Sequence, residues 1–150
     1  MVKTIVWIDD DTEIIDAVVY PLERVGHRII RLHTEPEALA AIDQLRHADL
    51  LLLAMIFPPS RALTHPHRVQ GLDRYTGLHL LQLLRDVYHL TTPVVALTAV
   101  ICPDLDRALQ ALDVADILHK PVRPSELKQR IEAVWATYDR PDDRLSADHG

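Results

Sequence analysis

Polar residues follow three of the apolar runs in this sequence, directly where each run ends. Asp9, Asp10 and Asp11 follow the first run, Thr98 closes a later one, and Lys120 comes after the last. Adjacent carboxylates repel each other unless a cation offsets them, and Mg2+ is held through one or two carboxylates and several waters. A lysine ammonium and a threonine hydroxyl can contact phosphoryl oxygens. These residue types are therefore typical of half of a phosphoryl-transfer site.

Short apolar runs alternate along the chain with longer stretches whose apolar residues recur three and four positions apart. This alternation predicts an α/β fold with a parallel sheet. Because ligands of such sheets bind outside the carboxyl ends of the strands, the polar residues are expected to meet there. The strand-like runs are residues 4–8, 28–32, 50–54 with an extension to 57, 93–97 and 116–118, and the helical stretches are 12–25, 35–46, 75–88, 103–112 and 124–138.

Several residues mark where the predicted helices begin or bend. Thr34 followed by Glu37 forms a capping box at the start of the second helix. Pro103 and Pro124 suit the first turns of the last two helices, where a missing N–H costs nothing. Pro21 lies inside the first helix and is expected to kink it.

Composition excludes several classes of function. With 150 residues and a net charge of −6, the chain fits one globular domain and carries no basic stripe for nucleic acid. Cys102 is the only cysteine, so no internal disulfide can form. No signal-peptide or membrane-spanning segment is visible, and the expected location is the cytoplasm.

Two segments lie outside the regular pattern. Residues 58–74 form a connection much longer than usual between a strand and a helix, and loops of this length are functional or disordered. The loop contains His65 and His67, whose spacing favours exposure over a zinc site because no acidic or cysteine partner lies beside them. The domain is expected to cover residues 1–138, and residues 139–150 are expected to form a mobile tail.

Two further patterns concern packing. Trp7 and Trp135 stand at core spacing and are interpreted as packing residues. The helix over 75–88 carries more leucines than one narrow stripe needs, which predicts either deep burial or a homodimer contact.

The polar residues and the runs before them resemble the receiver domains of bacterial response regulators. The resemblance covers residues 3–138 and, with four pieces in the right order at strand ends, is specific. It implies a flavodoxin-like, five-stranded parallel sheet in the order 2-1-3-4-5. The four pieces are "TIVWI" with Asp9-Asp10, "ADLLLLAMIFPP", "PVVALTA" with Thr98, and "ADILHKP" with Lys120-Pro121.

The resemblance also assigns roles to residues. It implies that Asp9, Asp10 and the backbone carbonyl of Ile56 hold Mg2+, that Thr98 and Lys120 contact the phosphoryl group, and that the Lys120–Pro121 bond is cis. The implied partners are a histidine kinase or a phosphotransfer protein and a downstream target protein. The implied role is signalling by docking and not enzymatic catalysis.

Two positions depart from the receiver pattern. The phosphate-accepting aspartate is expected five residues after Asp49, where this chain has Ala54. A methyl group cannot act as a nucleophile, and the loss of a carboxylate is expected to weaken Mg2+ binding. Ile117 stands at the switch position, where many relatives carry Tyr or Phe. Ala54 is explained either by a natural pseudo-receiver or by an engineered replacement of aspartate.

Two other functions compete with the signalling role. A phosphatase of the haloacid-dehalogenase type would use Asp9 as nucleophile and Asp11 as general acid. Against it, Thr12 stands one position early for that family's first motif, and Asp142-Asp143 does not follow an apolar strand. A binding protein that never used phosphate is the third alternative, and it differs from the first mainly in whether Ala54 is natural.

Overall fold

The computed structural model describes residues 2–10, 12–56, 72 and 75–138, without the side chains of residues 12–14. Strands and helices alternate as the sequence predicts. The elements in chain order are β1 (Thr4–Ile8), α1 (Thr12–Arg24), β2 (Arg28–Leu32), α2 (Glu35–Ala40), α3 (Ile42–His47), β3 (Leu50–Ala54), α4 (Thr76–Asp86), β4 (Val94–Thr98), α5 (Pro103–Ala111), β5 (Asp116–His119) and α6 (Pro124–Tyr138).

The five strands form one parallel sheet in the order β2-β1-β3-β4-β5, which confirms the predicted order. Every residue of β3 and β4 is buried, as the unbroken apolar runs predict for central strands. The carboxyl ends of β1, β3, β4 and β5 therefore lie along one edge of the sheet, which we call the carboxyl edge.

Helices cover both faces of the sheet. On one face, apolar residues of β1, β3 and β4 pack against the helices from α2 to α5. On the other face, Ile5, Trp7 and Leu52 pack against Ile15 of α1 and Ile131 of α6. Helix α4 is buried around most of its circumference, which favours deep burial as the explanation of its many leucines.

The predicted helix over 35–46 is divided in two, so that prediction was wrong. Ala41 has φ −106° and ψ 23°, and its N–H donates to the carbonyl of Ala38 at 3.1 Å. This bond spans three residues, as in a 3₁₀ turn, and it interrupts the regular helical ladder. The predicted cap is confirmed, since the Thr34 hydroxyl accepts from the Glu37 N–H at 3.2 Å.

The boundary of β3 also differs from the prediction. The strand ends at Ala54 and does not continue through Met55 and Ile56, and Phe57 lies outside the described residues. The Met55 carbonyl accepts from the Gly77 N–H at 3.0 Å, which turns the backbone toward the start of α4. Elsewhere α1 continues through Pro21, and α6 has the predicted bounds.

Other sequence predictions fall outside the part of the chain that the structure describes. These are residues 58–71 of the long connection with His65 and His67, and the tail over 139–150. Among the described residues, no helix is long and apolar enough to cross a bilayer.

Candidate functional site

Asp9 and Lys120 form an ion pair at the carboxyl edge. The Lys120 Nζ lies 2.7 Å from the Asp9 Oδ2, and the two side chains are 23% and 1% exposed. Asp9 follows β1 and Lys120 follows β5, so the pair joins residues 111 positions apart in the sequence. The Lys120–Pro121 peptide bond is cis, as the resemblance implied.

The backbone of Asp9 is fixed from the side of β2. Its N–H donates to the Leu32 carbonyl at 3.0 Å, and its own carbonyl lies 3.1 Å from the His33 Nδ1. Because a carbonyl oxygen can only accept, the His33 Nδ1 carries the proton in this contact. Sequence analysis missed this role of His33, although its position directly after β2 was a usable signal. Asp10, the next residue, is exposed to solvent.

Thr98 closes β4 within the same site. Its side chain is buried, and its hydroxyl donates to the Val100 carbonyl and accepts from the Val100 N–H, both at 3.2 Å. The Thr98 carbonyl accepts from the Lys120 N–H at 2.8 Å, so the ends of β4 and β5 are held together. To donate to a phosphoryl oxygen, the hydroxyl would have to give up the bond that it donates to the Val100 carbonyl.

Ala54 ends β3, which lies between β1 and β4 in the sheet. It is 1% exposed, and its side chain is a methyl group with no donor or acceptor. Ile56, whose carbonyl the resemblance assigns to Mg2+, is 49% exposed. Gly77 lies against this turn so closely that a Cβ there would be 2.0 Å from the Ala54 carbonyl oxygen.

Ile117 lies on β5, opposite Ala96 of β4, and is half-buried. Its side chain is aliphatic, without a hydroxyl or an aromatic ring. The described residues contain no group of three or more His, Cys, Asp or Glu side chains that could hold a metal ion. Among the described residues directly after β1, β3, β4 and β5, the acidic side chains are Asp9, in its ion pair, and the exposed Asp10.

No family model matches the chain. The sensor histidine kinase AruS of Pseudomonas aeruginosa is 35% identical to it over 113 residues, which are 75% of this chain and 10% of that protein. The phosphate regulon transcriptional regulatory protein PhoB of the same species is 28% identical over 134 residues, which are 88% of this chain and 51% of that protein. The chain thus spans about half of the length of PhoB and about a tenth of the length of AruS.

Solved structures of response regulators have the same fold. A two-component response regulator from Clostridium difficile superposes with a TM-score of 0.73 and 22% identity, covering 92% of this chain and 99% of that one. The chemotaxis response regulator CheY4 of Vibrio cholerae gives 0.69 and 21%, covering 89% and 99%. A CheY-like receiver domain from Methanospirillum hungatei gives 0.69 and 22%, covering 89% and 93%. The chain therefore has the fold of response-regulator receiver domains.

Proposed function

We propose that this protein is a receiver domain of two-component signalling that acts by docking on other proteins and takes no phosphate at residue 54. The observation that carries the proposal is the methyl side chain of Ala54 at the end of β3, beside an otherwise receiver-like set of Asp9, Asp10, Thr98 and Lys120. Acyl phosphate formation needs a carboxylate nucleophile, and a methyl group supplies none.

The ion pair between Asp9 and Lys120 is expected to hold the carboxyl edge in one conformation. With no carboxylate at residue 54, the Lys120 ammonium is held by Asp9 at 2.7 Å. A buried carboxylate needs such a partner, because its charge is costly in a low-dielectric environment. The carboxyl edge is thereby held in one arrangement that a partner protein can recognise without covalent modification.

Mg2+ fits this donor set only weakly. Asp9, Asp10 and the Ile56 carbonyl would hold the ion, which would supply positive charge next to a bound phosphoryl group. Asp9 already balances the charge of Lys120, so Asp10 contributes the remaining negative charge. The affinity is therefore expected to be lower than in a site with a third carboxylate.

The proposed partners follow from the relatives. AruS carries the name of a sensor histidine kinase and PhoB that of a transcriptional regulator, which supports a histidine kinase or phosphotransfer protein on one side and a downstream protein on the other. A homodimer is compatible with this role. The proposed setting is the cytoplasm, and the proposed role is not catalytic.

No observation favours the phosphatase alternative. Its nucleophile would be Asp9, whose side chain is 1% exposed and held by Lys120. Its general acid would be Asp11, which lies outside the described residues.

The experiment is phosphorylation by acetyl phosphate with Mg2+, read by intact mass. It compares the chain with Ala54→Asp and with Ala99→Asp, which adds a carboxylate at an exposed position just after β4. Only Ala54→Asp is expected to gain one phosphoryl group. Circular dichroism checks that each variant is folded.

Two results would contradict the proposal. Phosphate on the unchanged chain would place an acceptor elsewhere, and the role of residue 54 would be wrong. A folded Ala54→Asp that gains no phosphate would show that the surrounding residues are not a receiver site. The first result would overturn the role of residue 54, whereas the second would overturn the receiver function itself.

A further inference from the structure

The charge of the buried Asp9 carboxylate is balanced by a group of the chain itself. The Asp9 side chain is 1% exposed, and the Lys120 Nζ lies 2.7 Å from its Oδ2. A carboxylate in a low-dielectric environment is costly without a nearby positive charge, and either a lysine ammonium or a metal ion can supply that charge. Asp9 thus already has a cation of the kind that a bound metal ion would otherwise provide.

Both partners of this pair are fixed through their backbones. The Asp9 N–H donates to the Leu32 carbonyl at 3.0 Å, and the Lys120 N–H donates to the Thr98 carbonyl at 2.8 Å. The His33 Nδ1 adds a bond of 3.1 Å to the Asp9 carbonyl. Because neither backbone has to be ordered when the side chains meet, pairing loses little conformational entropy. Lys120 therefore competes effectively with an ion from solution.

A divalent ion and the Lys120 ammonium cannot share Asp9 at low cost. Mg2+ binds through one or two carboxylates and several waters, and the described carboxylates directly after β1 are those of Asp9 and the exposed Asp10. An ion held by Asp9 would lie close to the ammonium and be repelled by it. If the ion displaced the ammonium instead, Lys120 would lose the ion pair that it forms in this structure.

We propose that Lys120 is a built-in cation that takes the place of Mg2+ at the carboxyl edge and keeps the affinity for the ion low. The inference rests on the proposed receiver site, in which Asp9 and Asp10 would hold the metal. It adds that this site has its positive charge without a metal ion. Removal of the ammonium is therefore expected to create a Mg2+ site from carboxylates that are already present.

The test compares the Mg2+ affinity of the unchanged chain with that of Lys120→Met, by titration followed in 1H–15N amide spectra. Lys120→Met is expected to bind the ion about tenfold more tightly, because a positive charge next to it is gone. Lys120→Gln, whose amide can still donate to Asp9, is a second variant with the same expected gain. It keeps the test decisive if Lys120→Met does not fold.

Two controls separate the built-in cation from a general effect of charge. Lys128→Met removes the same charge from a surface pair with Glu132 on α6, and its Mg2+ affinity is expected to equal that of the unchanged chain. The double variant Asp9→Asn with Lys120→Met is expected to lose the gain, since the buried carboxylate is no longer present. Saturating Mg2+ is expected to raise the stability of Lys120→Met in urea more than that of the unchanged chain.

The result that would overturn the inference is an equal Mg2+ affinity of the unchanged chain and both Lys120 variants, including no binding by any of them. An equal gain in Lys128→Met would also overturn it, because the effect would then not belong to the carboxyl edge. The test needs no phosphate and is separate from the test of residue 54. An Ala54→Asp variant that gains no phosphate would contradict the proposed function but would leave these affinities as they are.

Discussion

The two edges of the sheet use their polar side chains differently. At the amino edge, where the strands begin, several side chains bind backbone groups of other elements, and Asp116 at the start of β5 forms an ion pair with Arg130 of α6 at 2.7 Å. The Thr92 hydroxyl donates to the Leu45 carbonyl at 2.7 Å, and the Asp49 carboxylate accepts from the Thr4 N–H at 2.7 Å. Trp135 adds its bond to the Asp49 carbonyl. These bonds satisfy the backbone and fix the strands relative to the helices.

Arg85 at the end of α4 is the most highly connected of these side chains. Its guanidinium donates to the carbonyls of Leu90, Thr92, Leu112 and Asp113 at 2.7 to 3.3 Å. Burial lowers the pKa of the Arg85 guanidinium, and the charge of Asp113 opposes this shift. One side chain thus joins α4 to the segments before β4 and β5.

At the carboxyl edge the main polar contact joins two charged side chains, Asp9 and Lys120. Such an ion pair can be exchanged for contacts with a ligand or a partner, whereas the side chain–backbone bonds of the amino edge hold strands and helices together. The comparison indicates that the amino edge contributes stability and that the carboxyl edge is specialised for recognition, as in other open parallel sheets.

The largest expected effect comes from breaking the ion pair on one side. Lys120→Met leaves the buried Asp9 carboxylate without its lysine and is expected to lower the free energy of unfolding by about 3 kcal/mol. Urea unfolding measures this change. The double variant Asp9→Asn with Lys120→Met is expected to recover most of the loss. If both variants were equally unstable, the pair would have a structural role and the contrast between the two edges would fail.

Removing the Arg85 contacts is the next largest change. Arg85→Met keeps the apolar part of the side chain but loses the bonds to four carbonyls, at an expected cost of about 2 kcal/mol in urea unfolding. Arg107→Met is the matched control, because the Arg107 side chain is 70% exposed and forms its ion pair with the exposed Asp104. Equal stability of the two variants would contradict the assigned role of the amino edge.

The recognition role of the carboxyl edge can also be tested through its affinity for Mg2+. Ala54→Asp adds a carboxylate between Asp9 and Thr98, and it is expected to bind Mg2+ about tenfold more tightly than the unchanged chain, a difference of about 1.4 kcal/mol. Titration followed by tryptophan fluorescence measures both affinities, with Ala99→Asp as the control. If Ala54→Asp bound Mg2+ no more tightly than the unchanged chain, residue 54 would not be part of a metal site.

The smallest expected effect is a pH dependence at the amino edge. Burial lowers the pKa of His27 below its ordinary 6.5, and Glu132 opposes this shift. The His27 Nδ1 accepts from the Lys3 N–H at 3.1 Å, so protonation there removes an acceptor. His27 therefore binds a proton more tightly in the unfolded chain than in the folded one. Its contribution to the free energy of unfolding is complete above pH 6.5 and is lost as the pH falls through the lower folded-state pKa.

Urea unfolding between pH 8 and pH 5 tests this dependence. The unchanged chain is expected to lose more stability over this range than His27→Gln, while His47→Gln behaves like the unchanged chain because its side chain is exposed. If all three proteins lost the same free energy of unfolding between pH 8 and pH 5, His27 would not be the source of the pH dependence.

The sheet could be predicted from sequence because β1, β3 and β4 are short apolar runs and because strand-like and helical stretches alternate along the chain. The start of α6 was equally clear, since Pro124 suits a first helical turn. The break at Ala41 could not be predicted, because alanine favours a helix and the interruption depends on packing. Helix propensity is a weak preference that tertiary contacts override.

The candidate site could be predicted in its residues but not in its contacts. Asp9 and Lys120 were expected at one edge, since the carboxyl ends of parallel strands meet there, but their pairing depends on side-chain conformation. His33 was missed because a single histidine after a strand has many ordinary explanations. Trp7 was interpreted correctly as a packing residue, while its unsatisfied indole N–H depends on the three-dimensional arrangement.

The close approach of Gly77 to the end of β3 bears on how this chain can change in length. Its N–H bond to the Met55 carbonyl, at 3.0 Å, holds the two ends of the intervening segment together regardless of how many residues lie between them. The entropic cost of closing a loop rises only with the logarithm of its length, by about 0.6 kcal/mol for each doubling. Changes in the number of residues between Ile56 and Leu72 are therefore expected to alter the stability of the sheet only slightly, whereas Leu72 and Tyr75 are fixed by their burial in the core.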